Sequence, residues 1–133
     1  MDGKEVLPRE GRLAAKCSWI HFEGVNEKTA VGYYFPGTSA VNLLRETREG
    51  SWTDINVCPE GLLRRSYFTL WTDHGKNPSD ATYAYVLLPG RNVSETEQYA
   101  KEPTTEILIN SPKVQAVHHK SENVTGWNFW DAS

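Results

Sequence analysis

The side chains most able to do chemistry lie in the middle of the chain. Asp73 and His74 are adjacent in a polar stretch, and a carboxylate that accepts from one imidazole nitrogen can orient the ring for acid-base work. Arg64 precedes them, and a guanidinium binds carboxylate or sulfate through two parallel hydrogen bonds. The alternatives are a structural Asp73–His74 pair that satisfies a turn, and an Arg64 on a solvated strand face. We therefore treat the three residues as candidates for contact with a ligand or a neighbouring domain.

Aromatic side chains are a second source of candidate sites, because a flat ring can stack on the face of a sugar. The alternative for each of them is packing in the core, which is the commoner use of aromatic residues in a domain of this size. Trp71 precedes Asp73 closely and joins the candidate contacts. The other aromatic residues considered as stacking platforms are Tyr33, Tyr34, Trp52, Trp127 and Trp130.

No pattern in the sequence assembles a nucleophile with its base. Ser51 and Ser66 lack the Gly-x-Ser-x-Gly context, and neither a phosphate loop nor metal-ligand spacing is present. His118 and His119 end a strand on opposite faces, and His21 lies within a strand. We predict no catalytic residue, no metal and no cofactor for this chain.

Composition limits the class of protein and its partners. The chain has 133 residues, a net charge of -3 and a pI near 5.8, which favours one folded domain and gives no support for nucleic-acid binding. No stretch approaches the roughly 20 apolar residues that span a bilayer, and the first residues lack the apolar core of a signal peptide. We therefore predict neither a nucleic-acid nor a membrane partner. Cys17 and Cys58 are interpreted as free thiols or as one disulfide.

The elements that must position these residues are mostly strands. Apolar and aromatic runs at 62–71 and 81–88 predict two strands that pair with each other, joined by a polar loop at 72–80 that is longer than a hairpin needs. A run at 29–35 predicts another strand that ends at Pro-Gly-Thr-Ser, 36–39. The further predicted strands are 12–22, 41–49, 105–109, 114–118 and 127–130, with a short or bulged strand at 50–56.

A single short helix interrupts the strands. Ser94 followed by Glu97 has the spacing of a capping box, and Pro103 ends the helix near Lys101. The pattern predicts an all-β fold, an antiparallel β-sandwich with one helix near 95–101. We expect a flexible leader at 1–11 and a single sandwich domain at 12–133.

Several segments, in their order and spacing, closely resemble a known family. The central β domain of polysaccharide lyase family 8, which contains the hyaluronate, chondroitin AC and xanthan lyases, is similar over roughly residues 12–130. The block from Asp-His-Gly to Tyr-Ala-Tyr-Val-Leu-Leu-Pro-Gly is the most specific part. The segments are GSWTDIN (50–56), TDHGKNPSDATYAYVLLPG (72–90), YAKEP (99–103), VQAVHH (114–119) and NFW (128–130).

The resemblance implies a part of a larger enzyme. Family members join a helical barrel to a multi-sheet super-sandwich and cleave uronate-containing glycans by β-elimination, with the reactive Asn, His and Tyr on the barrel. No catalytic residue is therefore carried over to this chain, which looks like the later half of the super-sandwich. The implied partners are an acidic polysaccharide and the helical catalytic domain of a parent lyase, and the implied location of that parent is extracellular.

Two roles remain open at this point. The first is a structural wall of the carbohydrate cleft, inactive alone, in a fragment or a free-standing relative of such a lyase. The second is a non-catalytic carbohydrate-binding module in which Trp71 or Trp52 stacks on sugar. Exposed strand edges also predict self-association between copies.

Overall fold

The computed structural model describes residues 1–57 and 61–130. These residues form seven strands, one α-helix and two single-turn 3-10 helices, Glu27–Thr29 and Trp52–Asp54. None of the helices in the described part of the chain has the length and apolar character to cross a membrane. The strands and helix are β1 (Gly11–Phe22), β2 (Val31–Gly50), β3 (Leu63–Trp71), β4 (Val86–Pro89), α1 (Val93–Lys101), β5 (Thr105–Asn110), β6 (Val114–His119) and β7 (Val124–Phe129).

The strands form two antiparallel sheets, which confirms the predicted all-β sandwich with one short helix. In the first sheet the order is β1-β2-β3, and β4 also pairs with β2. The second sheet has the order β5-β6-β7. The predicted strands at 12–22, 41–49, 105–109, 114–118 and 127–130 all coincide with or overlap observed strands.

The chain divides into two compact units. The first unit comprises Met1–Gly3, Cys17–Ser39 and His74–Ser133, and the second comprises Lys4–Lys16 and Ala40–Asp73. Because β1 and β2 are long, each contributes residues to both units.

The first unit has an apolar core where α1 meets β2. Gly32 of β2 lies against Thr96, which is fully buried, and a Cβ at Gly32 would fall on the Thr96 side chain. Glycine therefore allows the helix to approach the strand closely. The other buried side chains of this unit are Cys17, Trp19, Ile20, Ala30, Phe35, Leu88 and Ala116.

The second unit is organised by the pairing of β2 with β3. Leu43 is fully buried and lies opposite Leu70, while Val41 is also buried. The Arg45 guanidinium donates to the carbonyl oxygens of Leu7 and Pro8, at 3.0 and 2.9 Å. These bonds fasten residues that the sequence assigned to a flexible leader, whose mobility stays a prediction.

The predicted pairing of the two central runs is wrong. Residues 63–71 pair with the second half of β2, and β4 pairs with its first half, so each run has β2 as its partner. The second run is also shorter than predicted, because only Val86–Pro89 forms a strand and 81–85 lead into it without regular structure. Because β2 has 20 residues, it can pair with two strands along different parts of its length. The sequence pattern does not show which strand pairs with which.

The predicted strand end at 36–39 is also wrong, since β2 continues through Pro36 to Gly50. The ladder to β4 uses residues 31–34 and the ladder to β3 uses residues 42–50. Pro36 lies between these two stretches, so its missing donor costs no bond in the ladders to β3 and β4.

The segment at 50–56 was predicted as a short or bulged strand, but only Gly50 is in a strand, as the last residue of β2, and Trp52–Asp54 forms a 3-10 turn. The Asp54 carboxylate accepts from the backbone N–H of Ser51 at 3.1 Å, and the Ser51 hydroxyl accepts from the N–H of Thr53 at 3.3 Å. This Ser-x-x-Asp spacing is a capping box that could have been recognised in the sequence.

Helix α1 begins earlier than predicted, and its capping box uses other residues. Asn92 Oδ1 accepts from the N–H of Glu95, and the Glu95 carboxylate accepts from the N–H of Asn92, both at 2.9 Å. Ser94 and Glu97 lie inside the helix. The question of a disulfide falls on Cys58, outside the described residues, whereas Cys17 is a buried thiol.

Candidate functional site

The four residues predicted to contact a ligand or a neighbouring domain do not meet in one place. Arg64, Trp71 and Asp73 belong to the second unit, and His74 belongs to the first. Arg64 and Trp71 lie near opposite ends of β3, seven residues apart, which corresponds to about 23 Å of extended strand. Arg64 and Trp71 therefore have separate surroundings.

Arg64 and Trp71 each have a charged neighbour in the second unit. Arg64 Nε lies 3.0 Å from Glu49 Oε1, directly across the β2–β3 ladder, and the arginine side chain is 72% exposed. An ion pair this exposed contributes little to stability. The Arg12 guanidinium lies 5.1 Å from the centroid of the Trp71 ring, a cation–π arrangement that covers part of the indole.

The remaining histidines of the first unit bond to structural partners. His21 Nε2 lies 2.9 Å from the carbonyl oxygen of Arg91, and His118 Nδ1 lies 3.0 Å from the Thr125 hydroxyl across the β6–β7 ladder. His119 contacts the hydroxyls of Thr104 and Ser121. In the described part of the chain, His, Cys, Asp and Glu side chains form no cluster of three that could hold a metal ion.

The strongest grouping of functional side chains is a row of aromatic rings in the first unit. Tyr83 and Tyr85 are nearly parallel, with ring centroids 6.3 Å apart and an interplanar angle of 15°. Tyr33 of β2 continues the row 6.1 Å from Tyr85, and the His74 ring begins it 6.3 Å from Tyr83. Tyr83 is 66% exposed and Tyr85 is 50% exposed. We call His74, Tyr83, Tyr85 and Tyr33 the aromatic row.

Sequence reasoning missed Tyr83 and Tyr85 because it assigned both to a paired strand. Their spacing of two residues in Tyr-Ala-Tyr was the available signal, since residues i and i+2 of an extended chain project to the same side. Of the four candidates, His74 alone belongs to the aromatic row.

A cleft of about 450 Å³ lies beside this row. It is bounded on one side by the segment that carries the tyrosines and on the other by β5, β6 and the turn between them. Ile107, Ile109 and Val117 supply apolar surface, while Thr105 and Gln115 supply a hydroxyl and an amide. We call it the tyrosine cleft.

Burial changes the ionisation of three groups, all in the first unit. It raises the pKa of the Cys17 thiol to about 11, with a further contribution from the Asp2 carboxylate, and it lowers the pKa of the N-terminal amine. Burial, followed by the neighbouring Tyr99, raises the pKa of Tyr34. The Tyr34 and Tyr99 rings meet edge to face at 5.6 Å. In each of the three groups burial favours the uncharged form.

Two family models match the chain. The model described as polysaccharide lyase family 8, super-sandwich domain, matches residues 1–100, and the model of the C-terminal beta-sandwich domain of the same family matches residues 106–133. The fold thus has the class of a polysaccharide lyase β-sandwich. The expectation that the whole chain lies in the super-sandwich is therefore wrong for its last 28 residues, which match the C-terminal domain.

Individual relatives agree with this class. A xanthan lyase of Bacillus sp. (strain GL1) is 41% identical over 85% of this chain and 13% of that enzyme. A hyaluronate lyase of Thermasporomyces composti is 42% identical over 84% of this chain and 14% of that enzyme. The solved structure of Paenibacillus xanthan lyase covers 92% of this chain and 12% of that chain, with a TM-score of 0.86 and 41% identity.

The chain belongs to polysaccharide lyase family 8. It spans about an eighth of the length of the curated relatives named above. A chondroitin AC lyase of Streptomyces coelicolor A3, whose structure holds chondroitin sulphate, also superimposes with a TM-score of 0.75 at 33% identity.

Proposed function

We propose that this chain forms a non-catalytic wall of the carbohydrate cleft in a lyase that cleaves uronate-containing glycans by β-elimination. The observation that carries the proposal is the position of its match within the family. Residues 1–100 match the super-sandwich model and residues 106–133 match the C-terminal sandwich model. The named relatives are xanthan and hyaluronate lyases, which are several times longer.

The chemistry of β-elimination supports a non-catalytic role. A base removes the C5 proton of the uronate, the bond from C4 to the leaving oxygen breaks, and an acid protonates that oxygen, while a third group neutralises the carboxylate. These groups must be held together to act. In this chain Arg64, the candidate group for binding an anion, is already paired with the Glu49 carboxylate.

In this proposal the partners are an acidic polysaccharide and the helical catalytic domain of the parent lyase, which acts outside the cell. Self-association through strand edges stays a prediction. Within the described residues, β7 pairs with β6 alone, which leaves one of its backbone edges to support such an association. The mass of the chain in solution at several concentrations tests this prediction.

An activity assay tests the proposal directly. The purified chain is incubated with hyaluronan, chondroitin and xanthan, and unsaturated uronate is followed by ultraviolet absorbance. We expect no signal above buffer, whereas a full-length xanthan lyase provides the positive control on xanthan. An absorbance increase that stays proportional to the amount of the chain through successive purification steps would overturn the non-catalytic role.

A second candidate function is a carbohydrate-binding module, and the exposed aromatic row favours it. Trp52, which is 58% exposed, and Trp71 are the platforms that the sequence predicted. Titration with the same three polymers separates the candidates. Affinity that is lost on Trp71→Ala favours a module that uses the predicted platform. Affinity that survives Trp71→Ala, or an absence of affinity, leaves the role as a wall of the cleft.

A further inference from the structure

We propose that the tyrosine cleft binds an uncharged sugar unit of the glycan, with Tyr83 and Tyr85 stacking on the sugar. This inference rests on the proposed function and adds to it a binding site and a class of ligand. In this proposal the chain binds the uncharged unit of the glycan, and the uronate unit binds in another part of the enzyme.

The aromatic geometry provides the stacking surface. Tyr83 and Tyr85 present two nearly parallel rings whose centroids are 6.3 Å apart, and both keep at least half of their surface exposed. Tyr33 lies 6.1 Å from Tyr85 with its ring tilted by 44°, and it is not among the residues that line the cleft. The faces of aromatic rings match the C–H faces of sugars, while the phenol hydroxyls stay available for hydrogen bonds.

The size and chemistry of the cleft fit a small polar ligand. Its volume of about 450 Å³ falls within the ~300–1,000 Å³ of typical small-molecule sites, which combine apolar walls with a few polar groups. Thr82 and Thr105 bring hydroxyls, and Gln115 brings an amide, to walls that also contain aromatic and aliphatic side chains. Sugars need such groups because their hydroxyls lose hydrogen bonds to water on binding.

The charge of the lining selects the class of sugar. The described residues that line the cleft include no Asp, Glu, Lys, Arg or His. A uronate carboxylate placed there would lose hydration without gaining a cation. An uncharged hexose or N-acetylhexosamine incurs no such cost, and the amide of Gln115 can bond to either one.

The walls are held in place before any ligand arrives. Asn110 Nδ2 donates to the carbonyl oxygen of Tyr83 at 3.2 Å, which fastens the tyrosine segment to the end of β5. The turn after Asn110 is closed by a 3.0 Å bond from the N–H of Ser111 to the carbonyl oxygen of Val114. At the other end of β5, the Tyr99 hydroxyl donates to Thr105 Oγ1 at 2.8 Å. A rigid site loses less entropy when it binds.

The test is a titration of the whole chain with three probes. These are cellotetraose, the tetramer of N-acetylglucosamine, and a tetramer of galacturonate in which every unit is charged. We expect at least one uncharged probe to bind, and the charged probe to bind at least about tenfold more weakly because the lining lacks a cation. Affinity for the uncharged probe should change by less than about twofold when salt is raised, since no ion pair is involved.

Variants place the binding at the tyrosines. Tyr83→Ala and Tyr85→Ala should each weaken binding by about tenfold through loss of a stacking ring, whereas Tyr83→Phe should stay within about threefold. The matched control is Phe129→Ala, because Phe129 is an aromatic residue of the same unit, is 66% exposed like Tyr83 and does not line the cleft. Circular dichroism verifies that each variant is folded.

Each remaining outcome contradicts the inference. If neither uncharged probe binds, or if Phe129→Ala weakens binding as much as Tyr83→Ala, the tyrosine cleft is not the site. If the galacturonate tetramer binds as tightly as the neutral probes, the ligand class is wrong. Self-association that Tyr83→Ala abolishes would identify a second copy of the chain as the occupant. None of these results depends on ultraviolet detection of unsaturated uronate, which tests the non-catalytic role separately.

Discussion

At the scale of single residues, the contacts of each candidate side chain limit what it can bind. Arg64 bonds to Glu49 because the β2–β3 register places them opposite each other. Trp71 similarly lies beneath the Arg12 guanidinium. The sequence showed residue types that can bind anions or sugars, but these contacts depend on strand register, which the pattern of one strand does not contain.

The Cys17 thiol gives a prediction at this scale. Burial and the Asp2 carboxylate raise its pKa from 9.0 to about 11. In a Cys58→Ser background, alkylation of the folded chain by iodoacetamide should stay slow at pH 9 and accelerate toward pH 11, because the thiolate is the nucleophile. The urea-unfolded chain should accelerate near pH 9. Equal pH midpoints for the folded and unfolded chains would contradict the prediction.

The same pKa shift links folding to pH. The folded chain holds the thiol proton more tightly than the unfolded chain, so this contribution to the unfolding free energy is fully present below pH 9.0. It is lost as the pH rises through the folded pKa of about 11. As the pH rises from 9.0 to about 11, the unfolding free energy of Cys58→Ser should fall more steeply than that of Cys17→Ala/Cys58→Ser. Urea unfolding at each pH measures both. Parallel losses in the two variants would contradict the linkage.

At the scale of elements, the sequence predicted most strands and missed several of their connections. Alternation and turn residues located the strands at 105–109 and 114–118 closely. The partner of β3 could not be predicted, because one long strand, β2, serves both β3 and β4. The tyrosine cleft was missed for a different reason: the sequence assigned residues 81–85 to a strand, whereas this segment has no regular structure and lies beside β5 and β6.

The sequence and the structure place the N-terminal cap of α1 at different residues, Ser94 and Asn92. Asn92→Ala removes the acceptor for the Glu95 N–H and should lower the unfolding free energy by about 1 kcal/mol. Ser94→Ala, which the sequence pattern would have made the damaging change, should have a much smaller effect. Urea unfolding measures both variants. A larger loss for Ser94→Ala than for Asn92→Ala would contradict the observed cap.

The close approach of α1 to β2 gives a second prediction at this scale. Gly32→Ala places a methyl group on the buried Thr96 side chain and should lower the unfolding free energy by about 1–3 kcal/mol. Gly50→Ala is the matched control, because Gly50 lies in the same strand with open space around its Cβ position. Thermal unfolding that is equally affected by the two changes would rule out the close approach.

At the scale of the whole molecule, the chain is a family 8 β-sandwich that corresponds to about an eighth of its relatives. Its four predicted contact residues are divided between two units, while its aromatic row lies in one unit. The resemblance read from the sequence identified the family. The site within the fold could not be predicted from the sequence, because Tyr83 and Tyr85 form a cleft only together with residues of β5 and β6.

One titration tests the central claim most directly, that this chain supplies a sugar-binding surface without the reactive groups. The 15N-labelled chain is titrated with hyaluronan oligosaccharides while proton spectra record the sugar. We predict shifts of the amide signals at Tyr83, Tyr85 and Gln115, and no olefinic proton of unsaturated uronate over the full incubation. An olefinic signal that grows with time, or amide shifts that avoid the tyrosine cleft, would contradict the account.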